Sequence, residues 1–484
     1  MQSLLDVSST TLEDRLRLVL PTDVGHATIR LVDERAERLT VRQGTLEPVG
    51  NEFDLGVMVS VWDGGGLGYA ATSDITEAGL RSAVEQARHW ATVTAALAID
   101  ASPPPVEQSG RYASPVEVGW DTMDLRARID LLHRQNDLMQ IDERIVSCTA
   151  SLVRRDVDTL LLASNGARIE QNFNFVYPAL RATAAADGRA QSRSWGANAY
   201  CGQGGVEVLG RFGFGDSASR VANQALELLA APNCPSGTMD VVLAPDQMNL
   251  QIHESIGHPL ELDRILGDER NYAGTSFVTP DMFGEFQYGS EHLNVTFDPT
   301  VPGQLASYGF DDEGTPARRE YLIRNGVLER GLGGAVSQQR SGIPGVANAR
   351  SCAWNRPPID RMANLNIEPG DMAFDQMIGA IERGVYLETN NSWSIDDSRN
   401  KFQFSTEYGR LIEDGQLTTV IRNPSYRGIS SSFWRNLRGV GNRDGWKAMG
   451  TPNCGKGELN QMIGTGHASP ACWFGDIDVF GAED

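Results

Sequence analysis

Residues 251–263 read Q-I-H-E-S-I-G-H-P-L-E-L-D, and three of them can do chemistry together: His253, Glu254 and His258. Neutral imidazoles are good zinc ligands, and a glutamate beside them can take a proton from a water that the ion polarises. The zincin pattern, H-E-x-x-H, puts its histidines four residues apart on one helical face. Here they stand five apart. On an ideal α-helix that spacing separates the side chains by roughly 140°, too far round to share one ion. A single π turn brings them closer, and such turns recur at functional sites. Gly257 loosens the backbone where the turn is needed, and Pro259 lacks the N–H a regular helix would use. The spacing predicts a metal-carrying helix with one wide turn. Two histidines leave a catalytic zinc short of a third protein ligand. Spacing alone leaves Glu261, Asp263, His292, Cys352, Cys454, His467 and Cys472 open for that place.

The elements around this stretch must hold it. An apolar run at 239–244 reads as a buried strand, and Pro245-Asp246 turns it into the motif helix, whose core stripe is Met248, Ile252, Ile256 and Leu260. Beyond, the pattern is mostly strands: 320–323 and 327–330 around Asn325-Gly326, 386–389, 402–406, and 411–413 with 417–421 around Asp414-Gly415. One helix, 371–383, interrupts them.

Ahead of the motif the pattern is mixed. It opens with a short helix at 11–19, a strand at 26–37 and a hairpin of 57–62 with 67–72. The glycines of that hairpin turn, 64–66, match no phosphate-loop pattern. Asp74 with Glu77 reads as a capping box for a helix burying Leu80, Val84, Ala87 and Trp90. Ser102-Pro103-Pro104-Pro105 predicts a stiff, extended connector. A helix at 124–140 should bury Leu125, Ile129 and Leu132. Hairpin turns at Asn165-Gly166 and Asp187-Gly188 call for positive φ at both residues. A helix at 216–231 carries Val221, Ala225, Leu228 and Leu229, and the proline- and glycine-bearing run 231–237 ends it. The main boundary falls there. The expected architecture is α+β: a mixed α/β N-terminal domain, 1–235, then a β-rich C-terminal domain, 236–484, carrying the metal-binding helix.

Bulk properties narrow the function classes. A chain of 484 residues exceeds one ordinary core. Acidic residues outnumber basic ones 63 to 42, a net charge of −21, which argues against nucleic acid and against an anionic membrane surface. Six cysteines without a C-x-x-C pair read as reduced thiols. No basic start precedes an apolar run and no 18-residue apolar stretch appears, so neither a signal peptide nor a membrane span is expected. The expected location is the cytoplasm.

H-E-S-I-G-H-P-L-E-L-D, followed by Gly274-Thr275-Ser276-Phe277, resembles the motif of the TldD/PmbA family of zinc metallopeptidases. The likeness continues through D-D-E-G-T-P at 311–316, Asn325-Gly326, and Cys454-Gly455-Lys456 with the glycine-rich tail to Gly466. Pro259 departs from it, standing where a small residue is expected. The resemblance implies that Cys454 is the third ligand to Zn2+, joining His253 and His258, and that Glu254 is the catalytic base. It implies cleavage of short or unfolded peptides in an enclosed site, for processing peptide precursors or clearing fragments. It further implies pairing with a related subunit that lacks the motif histidines, or a homodimer. A His, His, Cys set leaves one position open for water. Glu254 then passes its proton to the leaving amine. Glu261 and Asp263 are expected to orient the imidazoles, and His467 is a candidate oxyanion donor. A β-rich domain suits a peptide bound as an added strand. Two other readings stay open: a non-catalytic zinc-binding paralogue or partner subunit, and a zinc hydrolase of a non-peptide amide.

Overall fold

In the computed structural model, residues 4–97, 106, 108–196, 198–271 and 274–482 are described. The proline connector at 102–105 lies outside the described residues.

Long alternating runs build the first layer. His26–Arg42, Gly50–Asp63, Ile145–Ala163 and Arg168–Ala186 pair antiparallel in a nine-stranded sheet, ordered Gly66–Thr72, Gly50–Asp63, His26–Arg42, Ile145–Ala163, Arg168–Ala186, Gly110–Ala113. Helix Glu77–Ala95 covers one part, burying Leu80, Val84 and Ala87 against Ile29, Leu31, Val57 and Val59. It lies so close because the strand beneath it carries glycine: a Cβ at Gly66 or Gly68 would fall 1.9 or 2.0 Å from a helix carbonyl. Helices Leu125–Met139 and Phe214–Ala230 cover the rest of that sheet, with Leu132, Val221, Ala225 and Leu229 in the shared core.

From residue 237 onward strands dominate. Gly237–Leu243 pairs parallel with Arg383–Ile395, which continues to Lys401–Glu413, Ser425–Ile429 and Cys472–Phe480. Cys472–Phe480 pairs back with Gly237–Leu243, closing the circuit into a barrel. A separate six-stranded sheet runs Val327–Leu328, Glu320–Arg324, Val295–Phe297, Asn364–Ile367, Gln461–Ser469, Lys447–Lys456. One large apolar core, including Phe297, Leu365, Phe404, Tyr426, Trp434 and Phe474, joins barrel and sheet, and the stripe Met248, Ile252, Ile256 and Leu260 is part of it. The protein is α+β, with the strand-rich part carrying the motif helix.

Several local expectations give way to stronger local physics. Thr76, not Asp74, caps its helix: its hydroxyl accepts the Gly79 N–H, while Asp74 accepts from Thr76. Trp90 and Leu125 are exposed: Trp90 sits at the margin of its helix's apolar stripe, and Leu125 is the first residue of its helix. Asn165 keeps a negative-φ backbone because its side chain caps the turn, accepting from the Ala167 N–H. The helix expected at 371–383 shrinks to Phe374–Gly379, since Arg383 already opens a strand that the barrel requires.

Packing this tight makes Gly68 a sensitive position. Gly68→Ala should cost about 1–3 kcal/mol by forcing the helix off its strand. Urea denaturation would show it as a lower midpoint at unchanged slope.

Candidate metal centre

The barrel strand Gly237–Leu243 runs directly into helix Pro245–Ile252, with proline in the first turn where its missing N–H costs nothing. The helix then widens. His253–Gly257 forms a π turn in which the His258 N–H bonds the His253 carbonyl, and His258–Leu260 tightens to a 3-10 turn. This is what the five-residue spacing requires, and it brings the two rings to 4.8 Å between centroids at 87°. In a regular helix the N–H of residue 259 would serve the Ser255 carbonyl. Pro259 has none, and the buried Tyr288 hydroxyl donates there instead. Gly257 has another role than the one its sequence position suggests. Its φ and ψ, −58° and −67°, are ordinary helical values, but a Cβ would lie 2.0 Å from the Met362 sulfur. Close packing, not backbone freedom, requires glycine here.

Strands Lys447–Lys456 and Gln461–Ser469 face this turn. Their register pairs Thr451 with Thr465 but Cys454 with Ile463, so one extra residue bulges out between Thr451 and Cys454. The bulge puts Cys454 on the same face as Thr465 and His467, because side chains alternate along a strand. One ligand atom from each of His253, His258 and Cys454 then lies within 4.8 Å of the others, and the Cys454 Sγ is 3.7 Å from His258 Nε2. Of the remaining candidates for the third position, Glu261 and His467 lie against the histidines, and Asp263 pairs with Lys456. His292 is exposed, Cys352 lines a different cavity, and Cys472 is buried beside Ser469.

The surroundings set the protonation states. Burial pushes the pKa values of His253 and His258 down, favouring neutral rings. Burial opposes ionisation of the Cys454 thiol, but the Arg361 guanidinium and His258 outweigh it and hold the thiol below its usual value. Arg361 is fixed by donating to the Cys454 carbonyl at 2.6 Å. The His258 Nδ1 lies 3.0 Å from Glu261 Oε2. Glu261, fully buried, would be pushed up by burial, yet Lys456, His258 and Arg264 hold it well below the usual carboxylate range. Lys456 is fully buried too; burial works against its charge, and Asp263 and Glu261 overcome it. Its Nζ donates to both Asp263 oxygens, at 2.6 and 2.8 Å, and to the Asp360 carbonyl. Asp263 therefore orients no imidazole; it anchors the cation that serves Glu261. On the other side His467 Nε2 lies 2.8 Å from His253 Nδ1, and Thr465 Oγ1 lies 3.3 Å from both. His467 is fully buried behind His253, where it cannot reach a substrate.

A cavity of about 480 Å³ opens on the other side of the histidines. His253, Glu254, His258 and Cys454 line it together with Thr389, Asn390, Trp393 and Arg399. Arg399 Nη1 donates to Glu254 Oε2 at 2.8 Å.

Residues 236–481 match the family model described as the PmbA/TldA metallopeptidase C-terminal domain, which is just over half of the chain. The chain belongs to the PmbA/TldD family. Residues 27–91 match the same family's domain 1. A protein named metalloprotease from Methanothermobacter thermautotrophicus is 28% identical over 444 residues, 92% of this chain and 93% of that one. A metalloprotease TldD homolog from Haemophilus influenzae is 25% identical, covering 98% and 97%. Among solved structures, TldE from Thermococcus kodakarensis superimposes with a TM-score of 0.73 at 15% identity, covering 99% of this chain and all of that one; it shares the fold.

In this PmbA/TldD chain the D-D-E-G-T-P stretch lies apart from the histidines. Asp311 accepts the N–H groups of Glu313, Thr315 and Ala349 and so shapes a turn, while Gln171 of the first sheet clasps the N–H groups of Gly309 and Phe310. Sequence reasoning missed Arg361, Lys456, Thr465 and Arg399. Lys456 was visible within Cys454-Gly455-Lys456 but nothing in the spacing marks it as buried. Arg399 stands 145 residues from Glu254 and carries no local signal.

Removing one buried charge strands its partners. Lys456→Met should destabilise the metal-free protein by about 3–5 kcal/mol, because Glu261 and Asp263 lose the cation between them. Denaturation of the chelator-treated protein measures this directly.

Proposed function

We propose that this chain is a zinc-dependent peptidase acting on short or unfolded peptides, with His253, His258 and Cys454 as zinc ligands and Glu254 as general base. One observation carries the reading: two neutral imidazoles and a thiol of lowered pKa converge within 4.8 Å in a cavity wall, beside a buried glutamate. The set fits the ion. Tetrahedral zinc with bonds of roughly 2.0–2.3 Å has ligand–ligand edges of about 3.5 Å, against 3.7 Å between Cys454 and His258 and at most 4.8 Å within the set. Neutral histidine and ionised cysteine are the forms a metal takes up. Nitrogen and sulfur donors favour zinc over magnesium or calcium, which take oxygen. Both Nδ1 atoms face partners of their own, leaving the Nε2 atoms for the ion.

When bound, the zinc supplies a Lewis acid that polarises the scissile carbonyl and eases deprotonation of water. Glu254 takes a proton from the attacking water as the water oxygen bonds the carbonyl carbon. It returns that proton to the amide nitrogen as the C–N bond breaks. The enclosing cavity favours slender, extended substrates over folded ones. Strand Arg383–Ile395 offers them an edge. It pairs with Gly237–Leu243 only through Leu387, and among the described residues no strand pairs that edge at 389–395, where Thr389, Asn390 and Trp393 line the cavity. A peptide added there would be held by its backbone.

The same proposal divides the chain into an N-terminal unit, 1–235, and a metallopeptidase unit, 236–484. It pairs the chain with a related subunit or with a second copy of itself, a reading supported by the family and by the fold shared with TldE. It places the enzyme in the cytoplasm, consistent with six free cysteines and with no described helix long and apolar enough to cross a membrane.

The wild type should carry about one zinc per chain by elemental analysis and hydrolyse unstructured peptides. Glu254→Gln should keep the zinc and lose about 10²–10⁴-fold in kcat, Cys454→Ala should lose the zinc, and Glu261→Gln should bind it about 10–100-fold more weakly. Full zinc content in Cys454→Ala removes the ligand assignment. Undiminished activity in Glu254→Gln removes the base, and a wild type without zinc or activity, even with a related subunit present, removes the peptidase.

A further inference from the structure

We infer that Arg399 stabilises the negative charge that develops on the substrate's carbonyl oxygen during cleavage. The inference rests on the peptidase reading above and deepens it. The sequence offers His467 for such a role, but that ring is sealed behind His253. Among the described residues lining the cavity, Arg399 is the single arginine or lysine, and its guanidinium touches Glu254 itself.

The side chain is presented by a fixed turn. Arg399 closes the tip between strands Arg383–Ile395 and Lys401–Glu413 with a left-handed backbone, φ +62°. Its N–H bonds the Asp396 carbonyl at 2.9 Å, and its carbonyl accepts the Ser430 hydroxyl at 2.9 Å. The Asp396 carboxylate accepts the Asn400 N–H at 2.7 Å. From outside, the Gly274-Thr275-Ser276-Phe277 segment clamps the same tip: Thr275 and Phe277 donate to the Asp397 and Ser398 carbonyls, each at 2.8 Å. Gly274 permits this contact, because its φ is +84° and a Cβ would lie 2.4 Å from the Asp397 carbonyl oxygen. Ser276 ties the clamp to the motif helix by donating to the Pro259 carbonyl at 2.7 Å. The turn bearing Arg399 and the helix bearing Glu254 are thus held to one another at a second point.

The charge movement gives the arrangement its use. At rest the Glu254 carboxylate balances the guanidinium. When water attacks, its proton goes to Glu254, its oxygen bonds the carbonyl carbon, and the carbonyl π pair moves onto oxygen. Negative charge leaves Glu254 and appears on the substrate a few ångströms away. Arg399 then faces a neutral acid and a new oxyanion, with no reorganisation needed. As the C–N bond breaks, the oxyanion pair re-forms the carbonyl and the Glu254 proton goes to nitrogen. The new carboxylic acid gives its remaining proton to the amine, leaving carboxylate and ammonium, while Glu254 recovers its charge and its partner.

The test compares zinc-loaded full-length wild type with Arg399→Gln and Arg399→Lys. Three quantities are measured: zinc per chain, kcat and KM on one unstructured peptide, and calorimetric affinity for a phosphinic peptide whose anionic tetrahedral centre mimics the attacked carbonyl. Arg399→Gln should keep its zinc, lose about 10²–10³-fold in kcat with KM within a few-fold, and lose phosphinate affinity by a similar factor. Arg399→Lys should recover part of both. The inference is overturned if kcat and phosphinate affinity stay at wild-type levels, if only KM moves, or if zinc is lost along with activity. A wild type that cleaves nothing would instead sink the peptidase reading, and this inference with it.

Discussion

A helix cannot present residues five apart to one point, and most of the centre follows from how this chain meets that constraint. The π turn at His253–Gly257 gives up a regular hydrogen-bond pattern, and each consequence is answered by a particular neighbour. Tyr288 replaces the donor that Pro259 lacks. Met362 packs into the space left by Gly257. Behind the turn Ser255 is held by Gln251 and by the Trp434 indole, and Gln251 by Tyr426. These partners come from distant parts of the strand-rich region. The wide turn is therefore a tertiary product: the local sequence permits it and the surrounding core enforces it.

Electrostatics adds a second layer of order. The chain as a whole is strongly acidic, yet Arg361, Lys456, Arg264 and Arg399 gather around the histidines. A buried carboxylate such as Glu261 is unfavourable unless cations and donors surround it. Here it has Lys456 and Arg264 on one side and the His258 ring on the other. That chain of contacts fixes which nitrogen of His258 faces the cavity. On the opposite flank His467 and Thr465 do the same for His253 with uncharged groups. The two imidazoles are oriented by different means, one ionic and one neutral.

Much of this was legible beforehand, and the rest was hidden for identifiable reasons. The spacing of His253 and His258 demanded the π turn, and the stripe from Met248 to Leu260 gave the buried face correctly, because both depend on residues within two or three turns. Hairpins at Asp187-Gly188, Asn325-Gly326 and Asp414-Gly415 were equally local and have the expected positive φ values. Cys454 could not be chosen by spacing from the other candidates, and only the family resemblance singled it out. What brings it to the histidines is a strand register, which sequence order does not reveal. Arg399 and Lys456 were out of reach because nothing nearby marks which of 42 basic residues the fold turns toward the histidines. Trp90 and Leu125 show the opposite failure. A helical period alone cannot say where the edge of a stripe, or the end of a helix, meets solvent.

The bulge between Thr451 and Cys454 gives strand Lys447–Lys456 an unusual kind of intolerance. Chemical replacement of Pro452 or Asn453 leaves the count of residues intact and with it the pairing that follows. Deleting either one would close the bulge and still leave Cys454 opposite Ile463, whereas straightening the strand at its present length would set Cys454 opposite Met462 and turn every later residue to the other face, since alternation has a period of two. The thiol would then point away from both histidines, and the Lys456 ammonium away from Asp263. For this segment, what must be kept is the offset, not the spelling or the count.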